Sequence, residues 1–179
     1  MKKVYSVGHG TRSLGEIVDL LRGVGIDLVA DVRRYPASRR HPHTRRESLA
    51  QSLPESGIGY EWWGEALGGR RTPRPDSPNS GWRDPAFRGF ADHMDSPEFT
   101  EALDRLVERA SAHTVAFMCA ETLWWRCHRR LIADALSVRG LDVRHILDAD
   151  HVPPHEPSPF LVVDGTRLLY PAAKSPLFS

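Results

Sequence analysis

The run MCAETLWWRCHRR places Cys119, Glu121, Cys127 and His128 close together in the chain. A thiol, a carboxyl and an imidazole at such spacing are the groups of nucleophilic and acid–base catalysis. Cys119 follows the apolar stretch TVAFM and precedes a helical pattern. Its thiol is expected near a helix N-terminus, where the dipole favours the thiolate, with Glu121 and His128 as proton carriers. The same residue also reads as a small buried hydrophobe or a metal ligand. His128 shares a helical stripe with Trp124, Leu131, Ala135 and Val138, so it should face the core as a neutral imidazole. A zinc site built from Cys119, Cys127, His128 and His9 meets two objections: Cys127 and His128 would diverge by about 100° on one helix, and no C-x2-C pair is present. No metal and no cofactor is expected. A phosphatase-type loop would need Arg six places after the cysteine, but position 125 is Trp and Arg126 comes one place late.

Two further groups stand where strands should end. The first is GHGTRS, which contains Gly8, His9, Gly10 and Arg12. It has two glycines of a dinucleotide fingerprint, with Ser13 in place of the third, and Asp31 falls about where a ribose-binding acid belongs. A mononucleotide or phosphate on the following helix N-terminus is the simpler expectation. The second is RRYPASRRHPHTRR, residues 33–46, with six Arg, two Pro and two His. Arg33, Arg34, Ser38 and Arg39 lie in it, stiffened by Pro36 and Pro42. Arg70, Arg71 and Arg74 form another cluster near Trp62, Trp63 and Trp82. Arginine beside exposed aromatics suits a single-stranded or flipped-base nucleic-acid site, while a solvated charged loop is the plain alternative.

These residues need a scaffold. Residues 3–7 and 27–32 read as strands flanking a helix that opens on a Ser13/Glu16 capping box and stops near Gly23 or Gly25. That is a βαβ unit, with parallel strands and a right-handed crossover. Thr44 and Glu47 suggest a second capping box and a helix to about Leu53. Further strands are predicted at 58–62, 114–118 and 142–147, and helices near 85–95, 97–111 and 123–139. Residues 64–85 form an irregular Arg/Pro/Gly-rich excursion, and FLVV and RLLY around Asp164-Gly165 form a hairpin. The expected architecture is one α/β domain over 1–179. It has three layers, with a Rossmann-like, mostly parallel sheet, helices on both faces and a short C-terminal hairpin. In such sheets ligands bind beyond the carboxyl ends of the strands, and three strand ends deliver polar residues to that edge.

Composition limits the partners. Net charge is +1, which selects none, and only Lys2, Lys3 and Lys174 among the 24 basic residues are Lys. Arginine's planar fork suits phosphate and carboxylate. Two cysteines are too few for a secreted disulfide framework. The first residues lack a signal-peptide core, and no run approaches a membrane span. These features predict a cytoplasmic protein with reduced thiols and no membrane association.

SVGHGTRS, DVRRYPASRR, LGGRR and, most specifically, MCAE followed by CHRRLIADAL resemble the bacterial and archaeal "domain of unknown function 488" family, from about residue 3 to about 170. The resemblance marks Gly8, His9, Asp31, Arg33, Pro36, Ser38, Cys119, Glu121, Cys127, His128 and Arg129. Trp124 and Trp125 depart from the polar spacer between the cysteines in many members. The resemblance implies a fold class and a site but no reaction.

The residue types favour an enzyme acting on nucleic acid or a nucleotide by hydrolytic or glycosyl-transfer chemistry. Cys119, Glu121, His128, His9 and Asp31 would do the chemistry. Arg12, Arg33, Arg34, Ser38, Arg39, Arg70, Arg71 and Arg129 would hold phosphates. Gly8, Gly10, Pro36 and Cys127 would support the site. A non-catalytic nucleic-acid-binding module and a small-molecule enzyme with a nucleotide cofactor remain the alternatives.

Overall fold

A computed structural model describes residues 1–173. The end of the expected single domain, residues 174–179, which include Lys174, lies outside the described residues. Five short apolar runs form one parallel sheet: β1 (Lys3–Gly8), β2 (Leu28–Asp31), β3 (Gly59–Trp62), β4 (Val115–Cys119) and β5 (Asp142–Ile146). Their spatial order is β3-β2-β4-β1-β5, and every neighbouring pair is parallel. The expected βαβ unit is therefore parallel but not contiguous, because β4 lies between β1 and β2. β4 is the most apolar of the five and is buried along its whole length, as a central strand covered on both faces must be.

Side-chain alternation divides the core in two. Val115, Phe117 and Cys119 join one cluster and Ala116 and Met118 the other. The second cluster is covered by α1 (Leu14–Val24) and α2 (Arg46–Glu55), through Ile17, Leu21, Leu49 and Leu53. The first is covered by α4 (Pro85–His93), α5 (Pro97–Ala112) and α6 (Arg129–Val138), through Phe90, Leu103, Leu106, Ile132 and Leu136. This is the three-layer α/β arrangement, with a β6 (Val162–Asp164) and β7 (Arg167–Leu169) hairpin appended.

Local signals hold in most places. Ser13 and Glu16 form the reciprocal capping box of α1, which stops at left-handed Gly25. Ser96 caps α5, with Pro97 in its first turn. The irregular excursion contains only the single turn α3 (Gly64–Leu67) before α4.

Two local expectations fail. Thr44 does not cap a helix: it ends a 3-10 turn, and its hydroxyl donates to the His41 carbonyl at 2.7 Å. The helix predicted over 123–139 is split. Trp124–Arg126 form a separate 3-10 turn, Cys127 is extended at φ −138°, and α6 starts only at Arg129. The helical spacing of Trp124 and His128 is thus an accident of two adjacent turns.

Candidate functional site: a thiol pair on a buried arginine

The carboxyl ends of β1, β2 and β4 converge on one cleft. The part next to the cysteines holds about 230 Å³, between Arg33, Tyr35, Gly69 and Arg70 on one side and Cys119, Glu121, Cys127 and His128 on the other. A larger adjoining space of about 690 Å³ shares Arg33, Tyr35, Arg70 and Glu121 and reaches His9, Ser38 and Thr122. The loop after β4 is pressed against the loop after β1. A Cβ on Gly8 would collide with the Glu121 carbonyl, and one on Gly10, which is at φ +51°, with the Thr122 hydroxyl. These glycines therefore serve chain-to-chain contact, and the space a pyrophosphate would need over them is filled. At the α1 N-terminus the Glu16 carboxylate takes the Ser13 N–H and Ser13 Oγ takes the Glu16 N–H. The close contact at Gly8 and Gly10 therefore does not provide the open glycine turn of a dinucleotide fingerprint.

At the floor, the two sulfurs lie 3.0 Å apart. Arg129, only 1% exposed, lies against both. Its Nε donates to Cys119 Sγ at 3.0 Å and to Cys127 Sγ at 3.2 Å, and the Arg129 backbone N–H reaches Cys127 Sγ at 3.3 Å. Its other nitrogens donate to Ser6 Oγ and to the Glu121 and Thr122 carbonyls. Among the described residues no carboxylate pairs with it directly, so the nearest available anion is a thiolate.

The thiols divide accordingly. Burial and the bond to Cys127 push the Cys119 thiol well above its usual range, and its S–H can donate to Cys127 Sγ or, at 3.8 Å, to the Glu121 carbonyl. Burial opposes ionisation of Cys127 too, but the Cys119 bond, the Arg129 charge and two N–H donors outweigh it and bring its pKa down to about 6. The expected assignment is thus reversed. Cys119 is 3% exposed at the end of a strand, and Cys127, half-buried just before α6 and served by both the Arg129 backbone N–H and Nε, is the thiol favoured to ionise.

His128 precedes α6 and borders the cleft rather than facing the core. Its Nε2 donates to the Val32 carbonyl at 2.9 Å, which leaves Nδ1 as the free acceptor. Burial lowers its pKa, which favours the neutral ring. A Cβ on Gly69 would stand 3.1 Å from Nδ1, so the glycine of LGGRR keeps that nitrogen open.

On the opposite wall Asp31 is fully buried. It accepts Arg33 Nε at 2.9 Å, Arg33 Nη2 at 2.7 Å, the Arg33 backbone N–H at 3.1 Å and the Tyr60 hydroxyl at 2.5 Å. It is a saturated anchor for Arg33 and has no lone pair aimed into the cleft, which removes the geometry for a proton carrier. Arg33 is the wall it holds, and its Nη1 reaches His9 Nε2 at 3.2 Å. His9 Nδ1 donates to the Gly10 carbonyl at 2.9 Å, and burial holds its pKa down to about 4.

The mouth is basic. Exposed Tyr35 has the Arg34 and Arg70 guanidinium carbons 5.5 and 5.9 Å from its ring centre. Arg70 sits at φ +58° and is the one non-glycine residue with positive φ among those described. Arg34 Nη1 donates to its carbonyl at 3.2 Å. Arg71 borders a neighbouring groove with Arg34, Arg70 and Arg74. Arg39 is exposed on the rim loop, whose turn Ser38 closes by accepting the His41 N–H, and the Pro36 carbonyl accepts the Arg46 N–H.

Three other expectations are corrected. Arg12 spends its guanidinium on the Gly8 and Leu147 carbonyls, each at 2.6 Å, and does not border the cleft. Arg129 lies beneath the sulfurs and not at a phosphate position. Trp63 and Trp82 are core residues, and Trp62 is covered by Arg46 at 4.0 Å, so Tyr35 is the exposed ring beside the arginines.

Sequence reading missed a buried polar chain behind Arg129. Ser6 Oγ accepts Arg129 Nη1 at 3.2 Å and donates to His145 Nδ1 at 2.5 Å. His145 Nε2 meets His155 Nδ1 at 2.9 Å, and His155 Nε2 meets Asp134 Oδ1 at 2.7 Å. Every donor in this chain points from Arg129 towards Asp134, so the carboxylate polarises it and offsets the guanidinium from a distance. Burial, with the neighbouring His155 and Arg129, holds the His145 pKa down to about 2. Trp124 covers the chain, stacked on His145 at 4.1 Å. The available signal was a polar residue at a core position: Ser6 in KVYSVG, Asp134 in LIADAL, His145 in DVRHIL.

The fold and the site together define an α/β protein with a thiol-bearing cleft at the strand ends. The family model described as "Domain of unknown function DUF488" matches residues 13–136, and the chain belongs to that family. No curated protein and no solved structure matches it. Among the described residues no helix is long and apolar enough to cross a membrane.

Proposed function

We propose that the chain is a cytoplasmic enzyme that carries out hydrolytic or group-transfer chemistry on a nucleotide or a nucleic-acid end, with Cys127 as nucleophile. The carrying observation is a thiol, hydrogen-bonded by the Arg129 N–H and Nε, on the wall of a cleft whose mouth is an Arg34–Tyr35–Arg70 cluster. The arginines suit phosphate oxygens and the ring suits a base. In this reading the Cys127 sulfur attacks and forms a covalent intermediate. His128 Nδ1 then takes a proton from the water that resolves it. Arg33, held by Asp31, faces the cleft as a fixed cation. A reducing compartment keeps the thiol competent.

The test is turnover by reduced protein across a panel of nucleotides and short single-stranded oligonucleotides at low salt. Cys127→Ser should abolish it, and His128→Ala should lower it about a hundredfold or more. Binding without turnover would favour a non-catalytic module. Neither binding nor turnover with any member of the panel would end the proposal.

A further inference from the structure

The sulfur pair has a chemistry that the proposed reaction does not use. A nucleophilic cysteine that only attacks substrate has no need of a second thiol against it. Here Cys119 Sγ lies 3.0 Å from Cys127 Sγ, about 1 Å more than a disulfide bond. The sulfurs differ in access and protonation. Both residues border the cleft, but Cys127 is the more exposed and the readier to ionise, while Cys119 is almost fully buried and keeps its proton. That is the division of labour between an attacking and a resolving thiol.

We propose that Cys119 and Cys127 form a peroxide-reactive dithiol centre, in which Cys127 reduces a small hydroperoxide and Cys119 closes a reversible disulfide. The Cys127 thiolate attacks the outer peroxide oxygen. A sulfur–oxygen bond forms, the O–O bond breaks, and hydroxide or alkoxide leaves and takes a proton from solvent. The sulfenic acid so formed lies against the Cys119 S–H. Cys119 sulfur displaces its hydroxyl, the disulfide forms, and the S–H proton leaves with the hydroxyl as water. Two electrons pass from the sulfurs to the peroxide in total, and a dithiol reductant returns them. The 230 Å³ cleft admits a small peroxide to Cys127.

Arg129 gives the centre a direction. Disulfide formation removes the thiolate that its Nε contacts. The oxidised form loses that compensation, so the reduced form is favoured and the disulfide is readily reopened. The inference shares the Cys127 thiolate with the function proposed above but not its substrate, and oxidation would silence that nucleophile.

The experiment treats the full-length protein with stoichiometric hydrogen peroxide at neutral pH. Free thiols are then alkylated and the peptides mapped by mass. Wild type should give a Cys119–Cys127 crosslink, lighter by two hydrogens and reversed by dithiothreitol. Cys119→Ser should instead accumulate a sulfenic acid on Cys127 that a dimedone-type probe captures. Cys127→Ser should leave Cys119 unmodified. Nucleotide turnover plays no part in this readout, so either proposal can fail alone. A wild-type Cys127 that goes to sulfenic and sulfinic acid without crosslinking, or that stays unreacted, would overturn the inference.

Discussion

Arg33 and Arg129 are both buried arginines at the edge of one cleft, and their charges are met in opposite ways. Arg33 has a bidentate carboxylate, Asp31, and the pair is closed by Tyr60 and the Thr44 carbonyl. Arg129 has two sulfurs, a serine, two carbonyls and a carboxylate reached only through Ser6, His145 and His155. A carboxylate is already ionised at neutral pH, so Arg33 is a settled structural cation. A thiol is not, so the field of Arg129 goes into ionising one. The same side chain braces a wall in one place and favours an ionised thiol in the other.

The difference can be broken most severely from the Arg33 side. Asp31→Ala leaves a buried guanidinium without its anion and should cost about 3–5 kcal/mol in urea unfolding. A loss below about 1 kcal/mol would mean that solvent already screens Arg33. The Arg129 side should instead reveal itself through pH. Folded Cys127 holds its proton only below about 6, against an ordinary 9.0, so its contribution is complete above 9 and is lost as pH falls through 6. Folded His9 holds its proton only below about 4, against 6.5, so burial of the neutral ring costs stability as pH falls from 6.5 towards 4. Stability should therefore climb with pH across both windows. Above the ordinary thiol range the retained Cys119 proton reverses the slope. Cys127→Ala should flatten the upper window and leave the lower, and an unchanged upper window would remove the thiolate. The smallest effect belongs to Gly69→Ala. Its methyl meets His128 Nδ1 and should leave the unfolding midpoint almost unmoved while slowing turnover more than it weakens binding.

Much of this was legible in the sequence, and the failures have a common cause. Strands show as apolar runs because a covered parallel sheet is buried on both faces, as in VAFM. The strand ends then located His9, Arg33, Cys119 and Glu121 at the cleft. Roles were less legible, because they depend on which partner arrives from elsewhere. Nothing in DVRR says that Asp31 is saturated by Tyr60. Nothing in CHRR says that Arg129 turns inward, although a charged residue beside the apolar stripe of LIADAL is a hint. Cys127 gained its charge from a helix break that periodicity concealed, since Trp124 and His128 keep helical spacing across it.

The insertion of β4 between β1 and β2 has a consequence for how the molecule comes into being. As the chain is synthesised, β1 and β2 are made early but have no bonds to each other. Only β2 and β3 can pair until residues 115–119 emerge. The loop that seals Gly8 and the arginine that holds both sulfurs come from the same late stretch. The thiols therefore acquire their unequal surroundings only after more than half the chain has been translated, and a nascent fragment lacking that stretch carries no thiol to guard.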